Sequence, residues 1–200
     1  FTTRRVNAIQ NGEAIFSCSI SFQKREKGLK HQIKMPKIQG PEKLKSDLEL
    51  RKDLKSKIPK DYLPMWLRER EIETRQVEPV DLLKAEKLPP YRSTWMKPTG
   101  KLPSDERIHQ ALLLYVSDMG LLGAAVNPHE VNFMSKKFQS ASLDHVMWFH
   151  GKVNFNNWVL HHMHSPISQN ARGFSRGSIY TKAGKLIAST AQEGLMRIWD

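Results

Sequence analysis

Apolar and polar positions alternate over residues 2–10 and 13–23. In the second run Phe16, Cys18, Ile20 and Phe22 interleave with Ile15, Ser17, Ser19 and Ser21. This period of two predicts two strands, the second with one apolar face, and Asn11-Gly12 between them supplies the positive φ angles of a tight hairpin turn. A lone hairpin is marginal in water, so a further pairing partner is expected. After residue 66, strands are predicted at 72–77, 91–96, 138–149, 155–163, 173–181 and 186–198, with a turn at Ala183-Gly184. One stretch among them has a different pattern. Pro103-Ser104-Asp105-Glu106 opens a helix, with Ser104 as the expected cap, and residues 108–129 are apolar on nearly all sides. That pattern predicts a continuous helix buried all round and ended by Asn127-Pro128.

One long helix among five or six strands implies an α+β arrangement in which a curved antiparallel sheet wraps a central helix, the hot-dog fold. Arg4, Gly12, Ile15 and Ser17 fall on Arg176, Gly184, Ile187 and Ser189 when the chain is offset on itself by 172 residues. The expected organisation is therefore a double hot-dog with a truncated first copy. Residues 1–23 are read as its closing hairpin, 24–66 as a basic linker and 67–200 as a complete second copy that holds the site. The first residue is Phe1 and no leader pattern comes after it, so the chain is expected to be part of a longer protein.

Composition refines this picture. The 200 residues carry a net charge of +12, but residues 24–60 alone, with 13 basic and five acidic side chains, hold +8 of it. That segment has no aromatic residue, so a solvated spacer is favoured over a nucleic-acid site, with a short helix expected within 42–57. The longest near-apolar stretch, 111–126, still carries Ser117 and Asp118, and no membrane insertion is expected. The single cysteine, Cys18, excludes an intramolecular disulfide framework and a cysteine-based zinc cluster.

Asp118 is the first candidate for chemistry. It is the only charged residue between Arg107 and Glu130 and lies in the helix least able to solvate it. Burial there would push it toward the range of a general base; the alternative is a structural Asp near a helix kink at Gly120, facing a water-filled notch, since structural networks and ion sites shelter such carboxylates equally well. Asp144 and His145 are neighbours on a predicted strand and should point to opposite faces, which favours a structural role. His161, His162 and His164 lack a nearby Asp, Glu or Cys, so no metal is expected. Gly173-Phe174-Ser175-Arg176-Gly177 matches the G-x-S-x-G pattern, but a strand rather than a helix comes next and no histidine lies after Ser175, so a serine hydrolase is rejected.

The segments FTTRRVNAIQNGEAIFSCSISFQ, RIHQALLLYVSDMGLLGAA, SASLDHVMWFH and ARGFSRGSIYTKAGKLIASTAQEGLMR, in this order, resemble the type II acyl-CoA thioesterases. The resemblance implies a double hot-dog enzyme that hydrolyses medium- to long-chain fatty acyl-CoA to free fatty acid and CoA, with no metal, no cofactor and no covalent intermediate. It assigns catalysis to Asp118 in the YVSDMG segment, to Ser142 before the L-D-H motif and to Gln192 in the A-Q-E-G motif. Asp118 would activate a water that Ser142 and Gln192 help to hold, which suits a thioester carbonyl open to direct attack. Met119, Leu121 and Trp148 are candidates for an acyl tunnel only by neighbourhood. A homo-oligomer without nucleic acid is expected, in the cytoplasm, or in the peroxisomal matrix if a targeting tripeptide lies beyond Asp200. The alternative is a non-catalytic acyl-CoA-binding or RNA-binding hot-dog module.

Overall fold

A computed structural model describes residues 1–81, 83–131 and 133–199. Asp200, the last residue of the expected second copy, lies outside them. The chain forms two compact units, Phe1–Gln32 and Ile33–Asp200.

The first unit holds β1 (Thr2–Gln10) and β2 (Glu13–Phe22), an antiparallel pair in which Gln10 faces Glu13 across the Asn11-Gly12 turn. Both turn residues have positive φ, 50° and 85°, as a two-residue hairpin requires.

The second unit contains, in chain order, α1 (Asp47–Asp53), α2 (Leu63–Trp66), β3 (Ile72–Gln76), β4 (Tyr91–Pro98), α3 (Glu106–Ser117), α4 (Leu121–Val126), β5 (Phe138–Ser142), β6 (Val146–Phe149), β7 (Val159–Gln169), β8 (Arg172–Thr181) and β9 (Leu186–Ile198). The strands make one antiparallel sheet in the order β3-β4-β7-β8-β9, with β5 and β6 end to end along the far edge of β9.

Period-two alternation gives this sheet two buried faces. Met96, Val159 and Ile179 point to one side, where Leu113 and Val116 of α3 complete a core. Their neighbours Trp95, Leu160 and Tyr180 point to the other side and pack against Met35, Ile38 and Leu44. The basic segment is therefore not a free spacer from residue 33 onward but a strap across the outer face of the sheet. Trp95 Nε1 donates to Gln39 O at 2.9 Å, and Arg75 Nη1 donates to Pro41 O at 2.8 Å and Leu44 O at 3.0 Å. The short helix expected within 42–57 is α1, whose Ser46 and Glu49 form a reciprocal capping box.

Other sequence expectations change as well. The N-cap of α3 is Asp105, whose carboxylate accepts from Arg107 N, rather than Ser104. The continuous helix is broken at Met119-Gly120, because Gly120 takes φ +84° at the start of α4. The helix is also not buried all round, since Ile108, Leu114, Tyr115 and Met119 are exposed. Strand β7 begins at Val159 rather than residue 155, because Phe155 belongs to a loop held by His109 Nδ1, which accepts from Phe155 N at 3.1 Å. Taken across its break, the stretch 106–126 has the length and composition of a membrane span, contrary to the sequence reading. Burial of Leu113, Val116, Leu121 and Ala124 against the sheet marks it as a core helix.

The G-x-S-x-G match has a packing explanation. A Cβ on Gly173 would lie 2.5 Å from Ala125 Cβ on α4, and one on Gly177 would lie 2.1 Å from His161 Nε2. Both glycines let other groups come close to β8, and Ser175 between them sits mid-strand. Because Ala125 Cβ is fixed to the helix, Gly173→Ala is expected to lower stability by about 1–3 kcal/mol, read as a lower Tm. An unchanged Tm would mean that α4 does not dock where the structure has it.

Candidate active site

Three elements bring Asp118, Ser142 and Gln192 together. Asp118 is the C-cap of α3, at the point where the helix breaks. Its side chain is 57% exposed, which corrects the expectation of a buried carboxylate: the break lets it leave the apolar face of the helix. Its chemistry therefore rests on its hydrogen bonds rather than on desolvation. Gln192 lies in β9 and is 2% exposed. Its Nε2 donates to Asp118 Oδ1 and, at 2.9 Å, to Ser142 Oγ, while Ser142 Oγ donates to Asp118 Oδ1 at 3.4 Å. An ionised carboxylate only accepts, so this chain of donors has a single direction and ends on one oxygen.

Ser142 is the last residue of β5, and beyond it the chain departs from the single strand predicted over 138–149. Ser142 pairs with Gly194 and Val146 with Ala191, so four steps along one strand match three along the other. The extra residue forms a β-bulge, with Leu143 N at 2.9 Å and Asp144 N at 3.4 Å both donating to Glu193 O. In a regular strand Ser142 and His145, three positions apart, would face opposite sides. Across the bulge both reach the α3–α4 break.

His145, read from sequence as structural, thus joins the site. Its Nε2 lies 2.8 Å from Ser117 Oγ and its Nδ1 lies 3.9 Å from Asp118 Oδ1. Asp144 turns away across the bulge and accepts from Glu193 N at 2.7 Å. Beneath the site His161 is fully enclosed, with Nε2 3.2 Å from Thr190 Oγ1, and burial pushes its imidazole down to about 3. His162 turns to Ser93 instead, Nδ1 to Oγ 3.0 Å. Among the described residues no group of three His, Cys, Asp or Glu is placed to share a metal ion. Of the acyl-tunnel candidates, Leu121 is fully buried beside Met163, whereas Met119 and Trp148 are exposed.

The sequence model for acyl-CoA thioesterases matches residues 66–195, which include all of these site residues. Acyl-CoA thioesterase 2 of Haemophilus influenzae is 35% identical over 98% of this chain and 69% of its own. The chain belongs to the acyl-CoA thioesterase family. Mouse acyl-coenzyme A thioesterase 8 is also 35% identical, over 99% of this chain and 64% of its own. The chain thus spans about two-thirds of the length of these relatives. Among solved structures, an acyl-CoA thioesterase II from Mycobacterium marinum matches with a TM-score of 0.73 at 32% identity, over 99% of this chain and 69% of that one. A hot-dog protein of unknown function from Alicyclobacillus acidocaldarius matches with a TM-score of 0.68 at 16% identity, which bears on the fold alone. The architecture of this family member is accordingly the hot-dog fold, a curled antiparallel sheet around a long helix.

Proposed function

We propose that this family member hydrolyses medium- to long-chain fatty acyl-CoA to free fatty acid and CoA by direct attack of water. Asp118 is the general base, and Ser142 and Gln192 orient it and the water. The observation that carries this reading is the convergence of both donors on Asp118 Oδ1. It fixes the carboxylate and leaves Oδ2 to accept a proton from a water poised against the thioester carbonyl. The water oxygen attacks the carbonyl carbon as its proton passes to Oδ2. The tetrahedral intermediate then collapses with cleavage of the C–S bond, and that proton goes to the departing thiolate. No side-chain nucleophile is needed, in keeping with Ser175 lying mid-strand at 1% exposure.

The wider organisation is proposed with it. Residues 67–200 form one hot-dog copy, 24–66 connect it, and 1–23 are the closing hairpin of another. In support, the hairpins β1–β2 and β8–β9 both have a register shift just before the turn and a positive-φ glycine, at Gly12 and Gly184. The repeat is inexact, because the second turn is one residue longer: Thr181 N donates to Lys185 O around three loop residues. Assembly into a homo-oligomer belongs to the same reading.

The test is release of free CoA thiol from medium- and long-chain acyl-CoA. Turnover is expected, and Ser142→Ala is expected to lower kcat by about ten- to hundredfold, the effect of losing one hydrogen bond to a charged group. Ser142→Thr, which keeps the hydroxyl, should retain most of the rate. Binding of acyl-CoA without turnover would replace this reading with that of a binding module.

A further inference from the structure

The hydrogen-bond pattern around His145 fixes more than its position. Ser117 is fully buried, and its one hydroxyl proton goes to Leu114 O at 2.7 Å. Toward His145 that oxygen can therefore only accept, so the ring must carry its proton on Nε2, 2.8 Å away. In the neutral ring Nδ1 is then a bare lone pair. It is buried, has no hydrogen-bond partner among the described residues, and stands 3.9 Å from the same Asp118 Oδ1 that receives Gln192 and Ser142.

We propose that His145 is a positioning residue that controls when Asp118 can act as a base: with falling pH the imidazole takes up a proton at Nδ1, facing Asp118, and that proton disables the site. This rests on the reading of Asp118 as the base. Above the transition, a neutral imidazole leaves the carboxylate anionic and active. Below it, Nδ1–H faces Oδ1 and the resulting imidazolium neutralises the negative charge on which proton abstraction depends.

The groups facing His145 set the direction. Burial holds the imidazole below its ordinary range, opposed by the negative charges of Asp118 from the α3–α4 break and Asp144 from its own segment. His161, from β7, stays neutral through the working range because its own imidazole is pushed down to about 3. The proton is therefore expected to enter below the ordinary imidazole range, at the Nδ1 that faces Asp118.

Two measurements test this, and the first does not depend on turnover. Long-range proton–nitrogen NMR of the imidazoles should show His145, identified by the resonance missing in His145→Gln, as the Nε2–H tautomer at neutral pH. Its titration should move to lower pH in Asp118→Asn by roughly half a unit or more, because the stabilising charge is gone. An Nδ1–H tautomer, or a titration that ignores Asp118, would overturn the proposal. The second is the pH profile of kcat/KM. In His145→Gln the acid limb should move to lower pH by roughly half a unit or more, since the disabling proton no longer has its imidazole site. A rate reduced by the same factor at every pH, with the limb in place, would make His145 a packing residue and sink the idea. If the protein binds acyl-CoA without cleaving it, the functional reading falls, and the NMR titration still decides the His145–Asp118 pairing.

Discussion

Asp118→Asn is expected to lower CoA release at saturating acyl-CoA by at least about a hundredfold, the usual contribution of a positioned general base, while leaving the Tm within about 2 °C of the parent. Both parts follow from the way Asp118 is held. The donors from Ser142 and Gln192 end on Oδ1, and an asparagine side chain keeps an acceptor oxygen there. The substitution therefore preserves the local network and removes only the basic oxygen. Its comparison with Ser142→Ala separates two roles, since losing an orienting bond should cost less than losing the base. Full activity in Asp118→Asn would move the base elsewhere in the site, and a collapsed Tm would mean that the carboxylate serves the fold rather than the reaction.

Trp95→Ala should produce the largest loss of stability, about 3–5 kcal/mol, in line with deleting a fully buried aromatic. Trp95 is 2% exposed and joins two layers at once: its ring lies among Leu160 and Tyr180 on the sheet, and its Nε1 holds Gln39 O of the strap at 2.9 Å. The change leaves a cavity and strips the strap of its central anchor. Residues 33–66 carry many lysines, so limited trypsin digestion reads the result directly. Rapid cleavage within the strap is expected in the variant and slow cleavage in the parent, alongside the lower Tm. Equal cleavage rates would show that the strap is held by Arg75 and its carbonyl partners instead.

Much of the architecture was legible in the residues because it depends on local pattern. Strand β9 begins at Leu186 and ends at Ile198 as the alternation predicts, and the Asn11-Gly12 turn lies where its dipeptide demands. What escaped was set by tertiary contact. The strap reads as a spacer because its apolar residues, Met35, Ile38 and Leu44, are sparse among lysines and find a partner only on a sheet more than thirty residues downstream. The exposure of Asp118 depends on a helix break whose only local sign was Gly120. The three residues of the proposed catalytic set came together through family resemblance, and neither spacing nor composition would have singled out Ser142 or Gln192. His145 was missed because the strand rule assigns it to the wrong face, and the rule fails only where the partner strand is one residue shorter, information that lies near residue 193 rather than near residue 145.

That mismatch makes the site sensitive to chain length as well as to side-chain identity. Inserting one residue on β9 opposite the bulge would restore the regular pleat and leave Ser142 and His145, three positions apart, on opposite faces, even if every functional residue were retained. Deleting one residue between Ser142 and His145 would also remove the bulge, but at a spacing of two it would keep both side chains on one face. Comparison of homologous sequences, or redesign of this segment, should therefore treat a one-residue insertion on β9 opposite the bulge as the loss of either the hydroxyl or the imidazole from the centre, an effect that a position-by-position tally of identities would not register.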